Sequence, residues 1–240
     1  MQSLSVVIPA FNESRRLEAT IRRISEYLIG KKCEFEIIVV DDGSSDTTPD
    51  LVGTLGRSLG NISLVQNARN RGKGFSVRRG MAESSRELVL ISDADLSTPV
   101  EEIEKFLPWI AQGYDIVIGS RALRESEILK KQPWYRQFMG RAFNLMVKSL
   151  VMGGIDDTQC GFKLLKSSAA KNIAGRMKID RFAFDVEMLH LAGRMGCRVK
   201  EVPVRWVNSP QSRVRIFSDS ARMFLDLLRI RFGAVFEMFF

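Results

Sequence analysis

Leu88-Val89-Leu90-Ile91-Ser92-Asp93-Ala94-Asp95-Leu96-Ser97-Thr98-Pro99 is an apolar run that ends in two aspartates one residue apart. Leu88 to Ile91 reads as a buried strand, and Pro99 stands where the next helix tolerates proline, in its first turn. Carboxylates at the carboxyl end of a parallel strand lie where open α/β sheets bind ligands. Two acids this close repel unless a cation joins them, and a divalent ion carrying a diphosphate meets that need. An isolated Asp-x-Asp is more often a helix N-cap, Asp95 or Ser97, beside a solvated neighbour. The rest of the chain decides between them.

Upstream, Leu4 to Ile8 is a short apolar strand ended by Pro9. The helix after it repeats Leu17, Ile21, Ile24 and Leu28 at helical spacing, with Asn12 or Ser14 placed to cap it. Phe35 to Val40 is a second strand, running into Asp41-Asp42-Gly43-Ser44 and a helix near Thr47 to Leu59. Ile62 to Gln66 is a third, and Asn67 to Gly74 forms a glycine-broken basic loop before a helix through Met81. Downstream of the aspartates, a helix is expected from about Pro99 to Ala111 and a buried strand from Asp115 to Gly119. Strands alternating with helices at this cadence predict a parallel, doubly wound sheet. Near-continuous apolar strands fit a sheet covered on both faces.

Beyond Ser120 the pattern changes. Residues 121–132 read as a surface loop, and Trp134 to Gly153 as a helix with Tyr135, Phe138, Met139, Ala142, Met146 and Leu150 on one face. Asp156 to Lys166 is a loop feeding a short strand, followed by a helix from Phe184 to Met195 and a strand near Val199 to Trp206. Phe217 to Phe240 is amphipathic, with Arg222, Arg229 and Arg231 on or near its polar side.

The 240 residues carry a formal charge of +8, with a pI near 9.6, which implies an anionic partner. Nucleic acid is disfavoured, because the basic residues are dispersed and the aromatics form no stacking motif. Cys33, Cys160 and Cys197 lack metal-ligand spacing and suit a reducing compartment. No leader-like segment opens the chain, and no run reaches the roughly 18 apolar residues of a spanning helix. A cytosolic protein is expected.

Two common nucleotide motifs are absent. Pro9-Ala10-Phe11-Asn12-Glu13 follows the first strand without a glycine, which excludes the Rossmann fingerprint. Gly72-Lys73 lacks the upstream glycine of a Walker loop, since Asn67 stands there, and Gly74 takes the Ser/Thr place. A nucleotide can still be held by strand ends, with Asp41 and Asp42 suited to base or ribose. Asp93 and Asp95 suit Mg²⁺ or Mn²⁺ on the diphosphate, the ion acting as Lewis acid and template.

Ser5 to Glu13, Val39-Val40-Asp41-Asp42-Gly43-Ser44, Asp93-Ala94-Asp95 and Gly119-Ser120-Arg121 resemble the successive motifs of family 2 glycosyltransferases of the GT-A fold. Asp93 to Pro99, taken with Asp157-Thr158-Gln159-Cys160-Gly161-Phe162-Lys163, is more similar to the dolichyl- or polyprenyl-phosphate β-glucosyltransferases. The dolichyl-phosphate mannose synthases share the frame. The resemblance implies an α/β GT-A fold with a mostly parallel central sheet, a catalytic domain over residues 1–213 and an amphipathic membrane-interface helix over 214–240. It places Pro9, Phe11, Glu13, Val40 and Asp42 at the nucleoside, and Asp93, Ala94, Asp95 and Ser97 around metal and diphosphate, with Asp93 and Asp95 as metal residues. Arg121 would meet the acceptor phosphate or the sugar diphosphate. Asp157 would orient hydroxyls or acceptor, act as base for a hydroxyl acceptor, or simply organise its turn. Ser212-Arg213 stands where relatives carry a Ser-Lys pair that closes over the diphosphate, and Ser209 stands where mannose synthases carry an arginine.

The single histidine, His190, lies in an apolar helical context and reads as a packed residue. A hydroxyl acceptor usually needs a base, whereas a polyprenyl phosphate arrives already anionic. Arg121, Arg124, Lys130, Lys131, Arg136 and Arg141 are available to gather two anions. The resemblance therefore implies an inverting hexosyltransferase, moving glucose from UDP-glucose to a dolichyl or polyprenyl phosphate while peripherally bound at the cytoplasmic face of a membrane. A homo-oligomer or membrane-protein partner would fit the amphipathic helices. GDP-mannose or UDP-N-acetylglucosamine is the alternative donor. A non-catalytic nucleotide-sugar-binding or scaffold protein is the alternative of another class.

Overall fold

Each apolar run read as a strand in the first half forms one. The computed structural model describes residues 2–130, 133–208 and 216–236. In chain order it contains β1 (Leu4–Ala10), α1 (Leu17–Gly30), β2 (Phe35–Asp41), α2 (Thr48–Leu59), β3 (Ile62–Gln66), α3 (Lys73–Glu83) and β4 (Leu88–Ile91). A 3-10 turn (Val100–Lys105), α4 (Leu107–Ala111), β5 (Ile116–Ser120), β6 (Glu127–Lys130) and α5 (Trp134–Leu150) follow. The chain continues through β7 (Lys163–Lys166), α6 (Ser167–Ala174), α7 (Phe184–Arg194), β8 (Val199–Pro203), β9 (Arg205–Val207) and α8 (Ile216–Phe236).

Seven strands form one sheet in the order β3-β2-β1-β4-β7-β5-β8. Alternation along β1 sends Val6 and Ile8 to the layer containing Leu17 and Ile21 of α1, and Val7 to the layer of Val77 and Met81 on α3. All pairings are parallel except those of β7, which runs antiparallel between β4 and β5. Lys163, the first residue of β7, therefore stands beside Ile91 and Ile118, the ladder partners nearest the carboxyl ends of β4 and β5. The segment entering β7 is thus delivered to the edge where the parallel strands end.

Several expectations change. β1 runs through Pro9 instead of ending there, with Pro9 opposite Val40. Ser3 and Val7 accept bonds from β4, through Leu88 N and Ser92 N, so alternation turns Pro9 to the same side. β4 has already left the ladder there, and the missing proline N–H costs nothing. The helix expected over 99–111 is split, because Pro108 has no N–H and its ring blocks the carbonyl four residues back. A tight 3-10 turn, with Phe106 N bonded to Ile103 O, takes the first part.

Asn12 and Ser14 do not cap α1, which starts after Arg16. Asn12, at φ +53°, accepts from Ser45 N and Asp46 N at 2.8 and 3.2 Å, and Ser14 Oγ donates to Asp46 Oδ2 at 2.7 Å. Both side chains tie the loop after β1 to the loop after β2. The expected surface loop 121–132 contains β6, paired with β9 in a parallel ribbon, and the strand expected near Val199 to Trp206 divides between sheet and ribbon. On α5 the inward face centres on Phe143 and Val147, whereas Phe138 is exposed. α6 has no counterpart among the elements expected from sequence.

Candidate active site

The turn after β4 is held from three sides. Leu96 adopts φ +47°, Asp95 Oδ1 accepts from Ser97 N at 3.0 Å, and Thr20 Oγ1 donates to Ala94 O at 2.7 Å. Val207 N of β9 bonds to Ser97 O at 2.8 Å. Ala94 and Ser97 are buried by these contacts, while the two aspartates project to cationic partners. Asp93 Oδ1 accepts from Lys73 Nζ at 2.6 Å, and Asp95 Oδ2 lies 3.4 Å from Arg16 Nη1. Arg16 is itself held by Glu13, with Nη2 to Oε1 at 2.8 Å.

Arg121 follows β5 directly. Its Nε and Nη2 donate to Asp157 Oδ2 and Oδ1 at 2.7 and 2.8 Å, and its backbone N donates to Oδ2 at 3.0 Å. The guanidinium also lies 5.5 Å from the ring centroid of Trp206 on β9. A forked ion pair against an aromatic ring leaves arginine few rotamers. Beneath these groups, Lys163 Nζ donates to Cys160 O and to Asp185 Oδ1 in the first turn of α7.

Side-chain exposure divides the cluster into two layers. Arg16, Lys73, Asp93, Asp95 and Arg121 are 18–33% exposed, whereas Asp157, Lys163 and Asp185 are at most 7% exposed. The upper layer reaches solvent, and the lower layer is closed off beneath it. Burial alone would raise the carboxyl groups of Asp93 and Asp157. Lys73 outweighs it at Asp93, Arg121 does so at Asp157, and both carboxyl groups are held below the usual range. Burial also works against the Lys73 and Arg121 charges, but Asp93 and Asp157 respectively keep those cations firmly protonated. For Asp185 burial wins over Lys163 and pushes the carboxyl up.

The expected nucleoside residues distribute unevenly. Pro9 and Phe11 are half-buried at the end of β1, Glu13 is buried, and Val40 is wholly buried. A Cβ on Gly80 would stand 3.1 Å from Val40, which locates that side chain against α3. Asp42 is committed internally, accepting from Asn67 Nδ2, Arg71 N and Gly72 N at 2.8–2.9 Å. Its neighbour Asp41 keeps a buried Oδ1 without a partner among the described residues. Arg213 and Ser212 lie outside the described residues, as does Lys131.

The glycine-broken loop serves packing: a Cβ on Gly72 or Gly74 would come within 2.4 Å of the carbonyl oxygens of Asp180 and Ile179. Arg16, Lys73, Lys163, Asp185 and Trp206 join the site without having stood out in the sequence as site residues. Lys73 lies in the basic loop and Lys163 closes the 157–163 motif, but a buried cation and its distant acid carry no local signature.

Among the described residues, no three His, Cys, Asp or Glu side chains converge as a metal cluster. Mg²⁺-type sites need only one or two carboxylates when a diphosphate supplies other oxygens. Among the described residues, the contact of Asp95 Oδ2 with Arg16 is long, and Asp93 Oδ2 lies outside the Lys73 bond. Among the described residues, the cluster pairs four cations (Arg16, Lys73, Arg121 and Lys163) with five carboxylates (Glu13, Asp93, Asp95, Asp157 and Asp185). The donor set and the charge balance fit a divalent ion arriving with an anionic ligand.

The family model of glycosyl transferase family 2 matches residues 5–174, a span that includes every one of these groups except Asp185. The chain belongs to glycosyl transferase family 2. The family 2 chain is 37% identical over 241 residues to the dolichyl-phosphate beta-glucosyltransferase of Dictyostelium discoideum, covering 95% of this chain and 74% of that protein. With the mouse dolichyl-phosphate beta-glucosyltransferase it shares 38% identity over 244 residues, covering 96% and 75%. Its fold matches the crystal structure of Mycobacterium tuberculosis glucosyl-3-phosphoglycerate synthase in complex with Mn²⁺, UDP-glucose and phosphoglyceric acid. That match has a TM-score of 0.68 at 20% identity and covers 97% of this chain and 79% of the other. The mannosyltransferase of Pyrobaculum calidifontis in complex with GDP-mannose and Mn²⁺ matches at TM-score 0.63 and 21% identity, covering 98% and 64%. The expected GT-A fold of this family 2 transferase is thereby established.

Proposed function

We propose that this enzyme transfers glucose from UDP-glucose to a dolichyl or polyprenyl phosphate, with inversion, at the cytoplasmic face of a membrane. The observation that carries this reading is the Arg121–Asp157 pair. Asp157, the carboxylate available as base for a hydroxyl acceptor, is bound by three donors of Arg121 and is nearly inaccessible. An acceptor that needs its proton removed is poorly served, whereas one that arrives ionised needs only cations to bring two anions together. Arg121 and Lys73 supply that charge, and Asp157 is assigned to positioning Arg121.

Asp95, with Asp93 beside it, is the assigned holder of Mg²⁺ or Mn²⁺. When bound, that ion neutralises charge on the departing diphosphate. Pro9, Phe11 and the buried Oδ1 of Asp41, unbonded among the described residues, are assigned to the nucleoside, and Asp42 to holding the 67–72 loop beside it. Glucose as the sugar rests on the named relatives.

The membrane assignment rests on two helices. Trp134, Phe138 and Leu145, four and seven residues apart on α5, form an exposed apolar stripe opposite Phe143 and Val147. On α8, Leu225 and Phe232 are exposed opposite buried Met223 and Leu227, Phe224 is exposed at the side, and Arg222, Arg229 and Arg231 flank them. Such faces suit the lipid interface, and the attachment assigned to them is peripheral. Among the described residues no helix is long and apolar enough to cross a membrane. The free cysteines suit the reducing side.

Radiolabelled UDP-glucose, GDP-mannose and UDP-N-acetylglucosamine, each incubated with polyprenyl phosphate and Mg²⁺ or Mn²⁺, test the reading. Label should pass to lipid from UDP-glucose; transfer from none of the three would overturn it, and transfer from GDP-mannose alone would reassign the donor. Asp95→Ala should abolish transfer while leaving the thermal unfolding transition in place.

A further inference from the structure

Lys163 is fully buried in a site whose other cations reach solvent. A buried ion pair is seldom more stabilising than apolar residues of the same volume, so stability does not account for its presence. Its surroundings do. One Nζ joins the carbonyl of Cys160 to Asp185 in the first turn of α7, which pins the 157–162 loop to that helix. A Cβ on Gly161 would stand 2.0 Å from Asp93 Oδ2, so the pinned loop lies directly against that carboxylate. Asp157 of the same loop grips Arg121. The start of α7 also meets Lys73: a Cβ on Gly74 would stand 2.5 Å from Phe184 Cβ, and Lys73 Nζ lies 5.9 Å from the Phe184 ring.

We infer that Lys163 and Asp185 are positioning residues for sugar transfer, locking the 157–162 loop and the start of α7 together so that Asp93, Arg121 and Lys73 keep one arrangement. The inference rests on the proposed transfer reaction but is separable from it. Neither residue touches substrate; each acts through the backbone and side chains it holds.

The test uses the full chain carrying Lys163→Met together with Asp185→Leu. The apolar pair should fold with a thermal midpoint near the parent's, whereas kcat should fall about a hundredfold, the scale of a 1 Å misplacement. KM for UDP-glucose should move by less than about threefold, since ground-state binding is largely kept. A folded double variant with parental kcat overturns the inference.

If the double variant does not fold, Asp185→Asn and Asp185→Glu answer the same question. Asn keeps an acceptor in place without the charge; Glu keeps the charge and displaces the acceptor by one methylene. Positioning predicts that Glu lowers kcat more than Asn does, and equality or the reverse order overturns it. A crystal structure of whichever variant folds reads the geometry directly. In the double variant or Asp185→Glu the 157–162 loop should shift from Asp93 by more than about 0.5 Å, the tolerance of a productive site. An unmoved loop overturns the inference even if the parent transfers none of the sugars offered, an outcome that would itself count only against the proposed function.

Discussion

At the scale of single residues, Arg121 shows how a surface-facing cation acquires a fixed direction. Three donors to one buried carboxylate and an aromatic ring at 5.5 Å define the guanidinium plane. A lysine there keeps the charge but loses the fork, so Arg121→Lys should lower kcat/KM about a hundredfold, the cost of misplacing a charge. Parental kcat/KM would mean that charge alone suffices. Asp157→Asn removes the counter-ion and should destabilise the protein at pH 7 by about 2 kcal/mol, below the usual figure for a broken buried pair because Arg121 is partly solvated. The pH dependence has a definite sign. Arg121 holds the Asp157 carboxyl below its ordinary value, so its stabilisation is complete above about pH 4, the unfolded value, and is lost as pH falls through the folded one. Urea midpoints measured from pH 7 down to pH 3 should converge for parent and variant at the acid end. Parallel curves would mean that the Asp157 charge adds nothing to stability.

Whole elements depend on how closely their backbones approach. The start of α3 lies so near the 179–184 segment that a methyl on Gly74 would meet Ile179 O at 2.4 Å and Arg181 O at 2.9 Å. Backbone oxygens do not yield as a flexible side chain does, so Gly74→Ala should cost about 2–3 kcal/mol by overpacking. A methyl added to Gly140 in α5 would find nothing within 4 Å, and there alanine should gain about 0.5–1 kcal/mol through helix propensity. Urea unfolding of the two variants distinguishes steric necessity from tolerance; equal effects would contradict the packing. The same contrast explains what was legible in the sequence. β1 to β5 announce themselves because buried parallel strands are short apolar runs between turn residues. The aspartates, Arg121 and Asp157 are legible because they cluster at strand ends or inside motifs. β6 and the break that separates β9 from β8 are not, since short strands paired across long sequence separations leave no local pattern. The reversal of β7 and the Lys163–Asp185 pair are likewise hidden, since direction and buried partnership exist only once tertiary contacts form. Gly72 and Gly74 were visible, but a glycine kept for close packing looks the same in sequence as one kept for flexibility.

Over the whole molecule, the proposed reaction asks charge and apolar surface to serve one substrate in water and another in lipid. On the proposed membrane assignment, the net charge of +8 would draw the protein toward acidic headgroups, but that attraction is long-ranged and weakens with salt. Firm seating needs apolar contact, and α5 offers Trp134, Phe138 and Leu145 while α8 offers Phe224, Leu225 and Phe232. Full burial of a large apolar side chain stabilises by about 1.5–3 kcal/mol. Replacing both Trp134 and Phe138 by serine should therefore weaken binding to vesicles containing phosphatidylserine by about a hundredfold or more. Since neither residue belongs to the buried core, the thermal midpoint should not fall. Raising salt should weaken the parent through its charge and leave a residual apolar component that the double variant lacks. Co-sedimentation with vesicles at two salt concentrations measures both terms. Failure of the parent to sediment, or equal binding by the variant, would remove the membrane assignment. If the stripe instead joins two copies of the chain, the parent should elute as a dimer without vesicles, and the same two substitutions should return it to a monomer.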